Sequence, residues 1–198
     1  MIATKKADGQ IVTLNELALE VHANSVNHGF WEGNPTDEHF LCLIASELME
    51  AVEAMRKGHM ACVDKFEAEL ATPPSPNEAA TDVERYAYWY NCCIKDSVGD
   101  ELADVVIRIM DLAGARGVDL DKNSAAYSNP SPKKAFTENA WSVLHTLTDS
   151  ASGLPHVLRS TVRQVAVLAS QLHINLWWHV QAKMRYNASR PYKHGKAF

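Results

Sequence analysis

The chain has 198 residues, of which 46% are hydrophobic and 22% charged, and it carries a formal net charge of −5. That balance fits one globular domain with a sizeable core. No apolar run reaches the roughly 18 residues of a membrane span, so no membrane-spanning helix and no membrane partner are expected.

The charge is unevenly placed. All 24 acidic residues lie at or before Asp149; residues 1–149 hold 12 Lys and Arg, and residues 150–198 hold 7 Lys and Arg and no acid. An acidic part suited to cations therefore precedes a basic end suited to phosphates. The acidic part would repel a long polyanion, so stable nucleic-acid binding is not expected and a small phosphorylated ligand is. The start, MIATKKADGQ, has no apolar signal-peptide core. Cys42, Cys62, Cys92 and Cys93 form no CxxC pair and no zinc spacing. Free thiols and a cytoplasmic location are the expectation.

In chain order, residues 1–12 read as a loosely held start. Thr13 with Glu16 forms a capping box that opens a helix to about Asn27, with Leu14, Leu17, Ala18 and Val21 on its core side. His28–Gly29 stops it, and the loop 29–36 carries Phe30 and Trp31 among Gly29, Gly33, Asn34 and Pro35. Thr36 caps a long helix that ends near Gly58. Residues 63–70 fit a short helix, ATPPSPNEAA a loop, and 78–95 a helix rich in Tyr86, Tyr88, Trp89 and Tyr90, which suit a core or a subunit interface. A helix over 99–115 ends at Gly114 and Gly117. After a long loop over 118–135, helices are predicted at about 136–150, 155–170 and 172–187. No segment alternates as a strand would. The expected fold is a single all-α domain, a bundle of about five to seven helices, with a basic C-terminal tail over 183–198.

Two helices carry chemistry. In HFLCLIASELMEAVEAMRK (39–57), Glu47, Glu50 and Glu53 follow one another at steps of three, beside an apolar stripe of Phe40, Leu43, Ile44, Leu48, Met49 and Val52. Like charges at that spacing repel by about 0.2–0.5 kcal/mol per pair, and a cation between them removes the penalty. The helix over 100–115 repeats the device with Glu101 and Asp104, and Asp111 two turns on. Packed side by side, Glu47, Glu50, Glu101 and Asp104 would offer oxygen ligands to a hard cation such as Mg²⁺. Carboxylates so spaced are also common on solvated helix faces, because Glu is a good helix former.

At Glu47-x-x-Glu50 and Glu101-x-x-Asp104 the chain resembles the MazG-like all-α nucleoside triphosphate pyrophosphohydrolases, a group that includes the dimeric dUTPases and dCTP pyrophosphatases. The end of the chain, with Lys183, Asn187, Arg190-Pro191, Lys193, His194-Gly195 and Lys196, is similar to the Lys…Asn…Arg-Pro…His-Gly tail of many bacterial and phage members. The resemblance covers roughly residues 14–115 and 180–198. It implies hydrolysis of a (deoxy)nucleoside triphosphate to the monophosphate and pyrophosphate, with two or three Mg²⁺ per site and Mn²⁺ able to substitute. It assigns Glu47, Glu50, Glu101 and Asp104 as metal ligands, with one of them or Glu53 orienting the attacking water. Lys183, Asn187 and Arg190 would contact phosphate, with Lys193 and Lys196 as further candidates. Asn24, His28 and Trp31, at the end of the first helix and in its turn, are candidates for the base. A homodimer or homotetramer in the cytoplasm of a bacterium, or of the host of a phage, is implied as well. Two departures mark this chain. Ser46 stands where the family often has a second Glu, and the connection from Glu50 to Glu101 is long enough to hold an insertion within 59–98.

Three other readings compete, one of them a helical nucleic-acid-binding protein that uses the basic tail, which strong salt-dependent DNA binding would support. A ferritin-like di-iron bundle needs Glu-x-x-His on two helices, and the chain contains none. A non-catalytic helical module that binds nucleotide or a partner would keep the fold without the chemistry.

Overall fold

The computed structural model describes residues 3–5, 11–73, 80–122 and 130–195. Eight α-helices lie among them: α1 (Leu14–Asn27), α2 (Asp37–Lys57), α3 (Val63–Ala71), α4 (Asp82–Cys93), α5 (Val98–Arg116), α6 (Phe136–Leu147), α7 (Leu154–Gln171) and α8 (Leu176–Ala188). The all-α bundle expected from periodicity is present, with one helix more than the upper bound. The marginal 63–71 segment is helical in its own right, because Phe66 finds a place to be buried.

The start of the chain differs from expectation. Ala3–Lys5 (β1) pairs antiparallel with Ile11–Thr13 (β2), Thr4 opposite Val12. Val12 is buried under this pairing, and its burial gives a β-branched Ile-Val-Thr run a reason to stay extended.

Helix starts follow their sequence signals. Thr13 and Thr81 cap α1 and α4 with reciprocal bonds from Glu16 and Glu84. Thr36 and Ser97 cap α2 and α5, which end on Gly58 and Gly117 in the left-handed conformation that glycine adopts without a Cβ penalty.

Helix α5 is the axis of the molecule. Thirteen of its nineteen residues are buried, which requires neighbours on every side; it packs on α1, α2, α7 and α8. Its Leu102, Val105, Val106, Ile109 and Met110 join Leu17, Ile44, Leu48, Leu158, Val165 and Val180 in one core. A smaller core of Phe66, Tyr86, Tyr90, Cys93, Ile94, Ala182 and Tyr186 joins the α3–α4 hairpin to α8. The segment read as an insertion thus contributes a hairpin with its own aromatic contacts. No helix among the described residues is long and apolar enough to cross a membrane.

Candidate functional site

Packing α2 and α8 against α5 brings the two halves of the charge pattern together. Glu47 is 5% exposed and Glu101 4%, and oxygens of Glu47, Glu50 and Glu101 lie within 4.8 Å of one another. Burial, reinforced by Asp104 and Asp100, pushes the Glu101 carboxyl up to about 8. Burial and then Asp104 raise Glu47 as well, against the pull of Arg108. The Glu101 carboxylate accepts no hydrogen bond from the described residues. Such a group is costly to ionise until a cation arrives. The donor set therefore fits Mg²⁺, which takes oxygen ligands and has no need of Cys or His.

Across the helix interface, Lys183 of α8 donates to Asp104 at 2.6 Å and to Asp100 at 3.0 Å. Burial opposes its charge, but Asp104 and Asp100 outweigh it and hold the Lys183 pKa above the ordinary lysine value. Asp100 is fully buried. Burial also pushes its carboxyl up. Yet the Tyr90 hydroxyl, the Asp96 N–H (2.9 Å) and the Lys183 ammonium all donate to it, a donor set that belongs to a carboxylate. Burial likewise raises the Tyr90 hydroxyl pKa, so it stays a neutral donor. Beneath Lys183, one turn earlier on α8, His179 covers Gly99; a Cβ there would sit 2.5 Å from the ring. Burial and the neighbouring Lys183 charge lower the His179 pKa to about 4, so the ring is neutral.

A pocket of about 90 Å³ gathers six of the residues expected from sequence: Asn24, Glu47, Asp104, Lys183, Asn187 and Arg190. Arg108 and Asp111 line it too. Arg190 donates to the Asn187 side chain at 3.5 Å, and its guanidinium lies 5.7 Å from the Tyr186 ring. A second pocket of about 450 Å³ adjoins this one and shares Val21, Asn24, Ile107 and Asn187 with it; Leu17, Met184 and Gln181 are among its other walls.

Other expected residues lie elsewhere. Glu53 is half exposed and paired with Arg56 (2.8 Å) and Lys57 (3.4 Å). Lys193 reaches Glu32 at 3.6 Å, and its N–H donates to the His28 carbonyl. Lys196 falls outside the described residues. The His28 ring lies between two backbone carbonyls, with Nδ1 2.8 Å from that of Asn24 and Nε2 3.1 Å from that of Arg190, so that its ring N–H can donate to its own helix or to the tail. Trp31 stacks on Phe40 (4.2 Å) and donates its indole N–H to Asp111 (2.8 Å). Asn24 is the base candidate that faces both pockets.

Sequence reasoning missed Asp100, Tyr90 and Arg108. Arg108 Nε donates to Glu47 Oε1 at 2.6 Å, and its Nη2 lies 2.5 Å from the same oxygen. A signal existed for two of them: Asp100 precedes Glu101, and Arg108 stands one turn beyond Asp104 on the same face. Tyr90 had none, because it arrives from the α3–α4 hairpin.

No protein-family model, curated protein or solved structure matches this chain.

Proposed function

We propose that this chain hydrolyses a (deoxy)nucleoside triphosphate to the monophosphate and pyrophosphate with Mg²⁺. One observation carries the reading: a single pocket sets Glu47 and Asp104 against Lys183, Asn187 and Arg190, beside the group of Glu47, Glu50 and Glu101. A triphosphate bears about four negative charges, so it needs a cationic cradle and a cation site in the same place.

Glu47, Glu50 and Glu101, with Asp104 next to them, would hold the ion. Bound there, a divalent cation neutralises phosphate charge and lowers the pKa of a coordinated water. Lys183 presents a fixed positive charge, since Asp100 and Asp104 hold its ammonium in place. Asn187 and Arg190 add amide and guanidinium donors on the same side. Attack at the α-phosphorus forms one bond to water oxygen and breaks one to the bridging oxygen, which leaves with pyrophosphate. The water proton passes to a carboxylate of the group. The larger adjoining pocket, walled by Leu17, Val21, Ile107 and Met184 and edged by the Asn24 and Gln181 amides, would take base and sugar.

The test is pyrophosphate release with Mg²⁺ from a panel of ribo- and deoxynucleoside triphosphates, wild type beside Glu47→Gln and Asp104→Asn. Turnover of one or a few triphosphates, lost in both variants, is the expected result. A folded wild type that binds Mg²⁺ and turns nothing over would leave a nucleotide-binding module. Size-exclusion chromatography tests the homodimer or homotetramer; Leu19, Tyr88 and Trp141 are large side chains left exposed.

A further inference from the structure

The cations of the pocket are held in two ways. Lys183 is 6% exposed and held by two carboxylates. Arg108 is bound to one carboxylate oxygen, Oε1 of Glu47, through both Nε and Nη2, and its side chain keeps 23% of its surface in solvent. Glu47 is also one of the three carboxylates whose oxygens converge within 4.8 Å. A guanidinium and a divalent cation on the same small carboxylate group repel each other, and burial strengthens that repulsion. Arg108 thus occupies a charge position that the proposed metal needs. It also lines the pocket that holds Asn187 and Arg190, where the phosphates would sit. Its fork of donors fits a phosphate oxygen as well as a carboxylate.

We infer that Arg108 is a charge-exchanging positioning residue, which holds Glu47 in the ligand-free protein and passes to a phosphate oxygen when a triphosphate and its divalent cation enter. This rests on the function proposed above. In the ligand-free state the guanidinium stands in for the ion and holds the Glu47 carboxyl at the pocket wall. On binding, its N–H donors exchange the carboxylate for phosphate, and the freed carboxylate oxygen turns to the cation. The exchange couples the two ligands: the metal enters easily only when a phosphate is present to receive Arg108.

The coupling makes two effects run in opposite directions. In Arg108→Gln, Mg²⁺ binding measured by calorimetry without nucleotide tightens by roughly tenfold, because a competing charge is gone, while KM for the triphosphate rises by roughly tenfold. In Arg108→Lys, which keeps the charge and loses the fork, Mg²⁺ affinity stays within about twofold of wild type and KM is only partly restored. Thermal melts followed by circular dichroism establish that both variants fold. Weaker Mg²⁺ binding in Arg108→Gln, or an unchanged KM, would mean that Arg108 merely braces Glu47, and the inference would fall. If the wild type turns over no triphosphate, the second arm is read as binding of an α,β-methylene triphosphate. Hydrolysis then fails, while opposite shifts in Mg²⁺ and analogue affinity still uphold the exchange. A wild type that binds neither Mg²⁺ nor the analogue overturns both.

Discussion

Helix α5 buries carboxylates at both ends and treats them differently. Near its C-terminal end, Asp111 is 8% exposed and accepts from His22 (2.8 Å), Ser25 (2.6 Å) and Trp31 (2.8 Å). Burial raises its pKa, and the three donors pull against that. Near the N-terminal end, Glu101 is buried at least as deeply and accepts nothing from the described residues, with Asp104, Asp100 and Glu47 nearby to raise its pKa further. A buried carboxylate whose acceptor capacity the fold has filled is a structural joint. One that the fold leaves without a hydrogen-bond donor is a candidate place for a ligand. The joint at Asp111 ties α1, the α1–α2 turn and α5 together, and so fixes the wall of the pocket that Glu101 and its neighbours serve.

The contrast can be broken by exchanging the losses. Glu101→Gln should cut pyrophosphate release by two to three orders of magnitude, roughly the cost of removing an essential charge-stabilising group. The same variant should melt no lower than wild type without metal, because the amide is as neutral as the protonated carboxyl it replaces and strands no donor. Equal destabilisation of Glu101→Gln and Asp111→Ala would erase the distinction.

Next in size, Asp111→Ala strands three donors and should cost about 3 kcal/mol in denaturant unfolding, at 1–3 kcal/mol for each group left unpaired, the lower end applying here. Mg²⁺ affinity of the folded fraction should stay within about twofold of wild type, since the joint holds no ion.

A third test uses pH. Glu101 is protonated in the folded protein up to about 8 but ionised in the unfolded chain above its ordinary 4.5. The unfolded state therefore binds fewer protons in that range, and folded stability falls as pH rises. His179 acts oppositely, but only between about 4 and 6.5, where the unfolded chain takes up a proton that the buried ring refuses. From pH 6.5 to 8 the carboxylate effect is isolated. The metal-free melting temperature should drop across this window, and Mg²⁺ should raise it more at pH 8 than at pH 6.5. A flat metal-free profile between those values would mean that folding does not raise the Glu101 carboxyl.

The smallest effect belongs to Trp31→Phe, which keeps an aromatic ring against Phe40 and loses one bond to Asp111. It should cost about 1 kcal/mol, the net value of a hydrogen bond, and leave KM for a triphosphate within about twofold. A larger rise in KM would return Trp31 to the base pocket.

Much of this molecule was legible from local pattern. Thr13 with Glu16, Thr36 and Gly117 announced helix ends through side-chain and backbone chemistry that acts within a few residues. The Glu47–Glu50 and Glu101–Asp104 pairs stood out because a helix maps steps of three onto one face. The β1–β2 pairing did not, since three-residue strands leave no period to detect. His28 and Trp31 stood near the right place, but only the tail and Asp111 reveal that their polar atoms are engaged.

By itself, then, the sequence determined the helices, their caps and the split between an acidic body and a basic end, because these depend on neighbours three or four residues apart. Only the tertiary structure decided which charges meet. Lys183 lies 83 residues from Asp100 in the chain, Arg108 lies 61 from Glu47, and Tyr90 reaches Asp100 from a separate hairpin. Coulombic attraction and burial act through space, and no local period encodes the distances that set them.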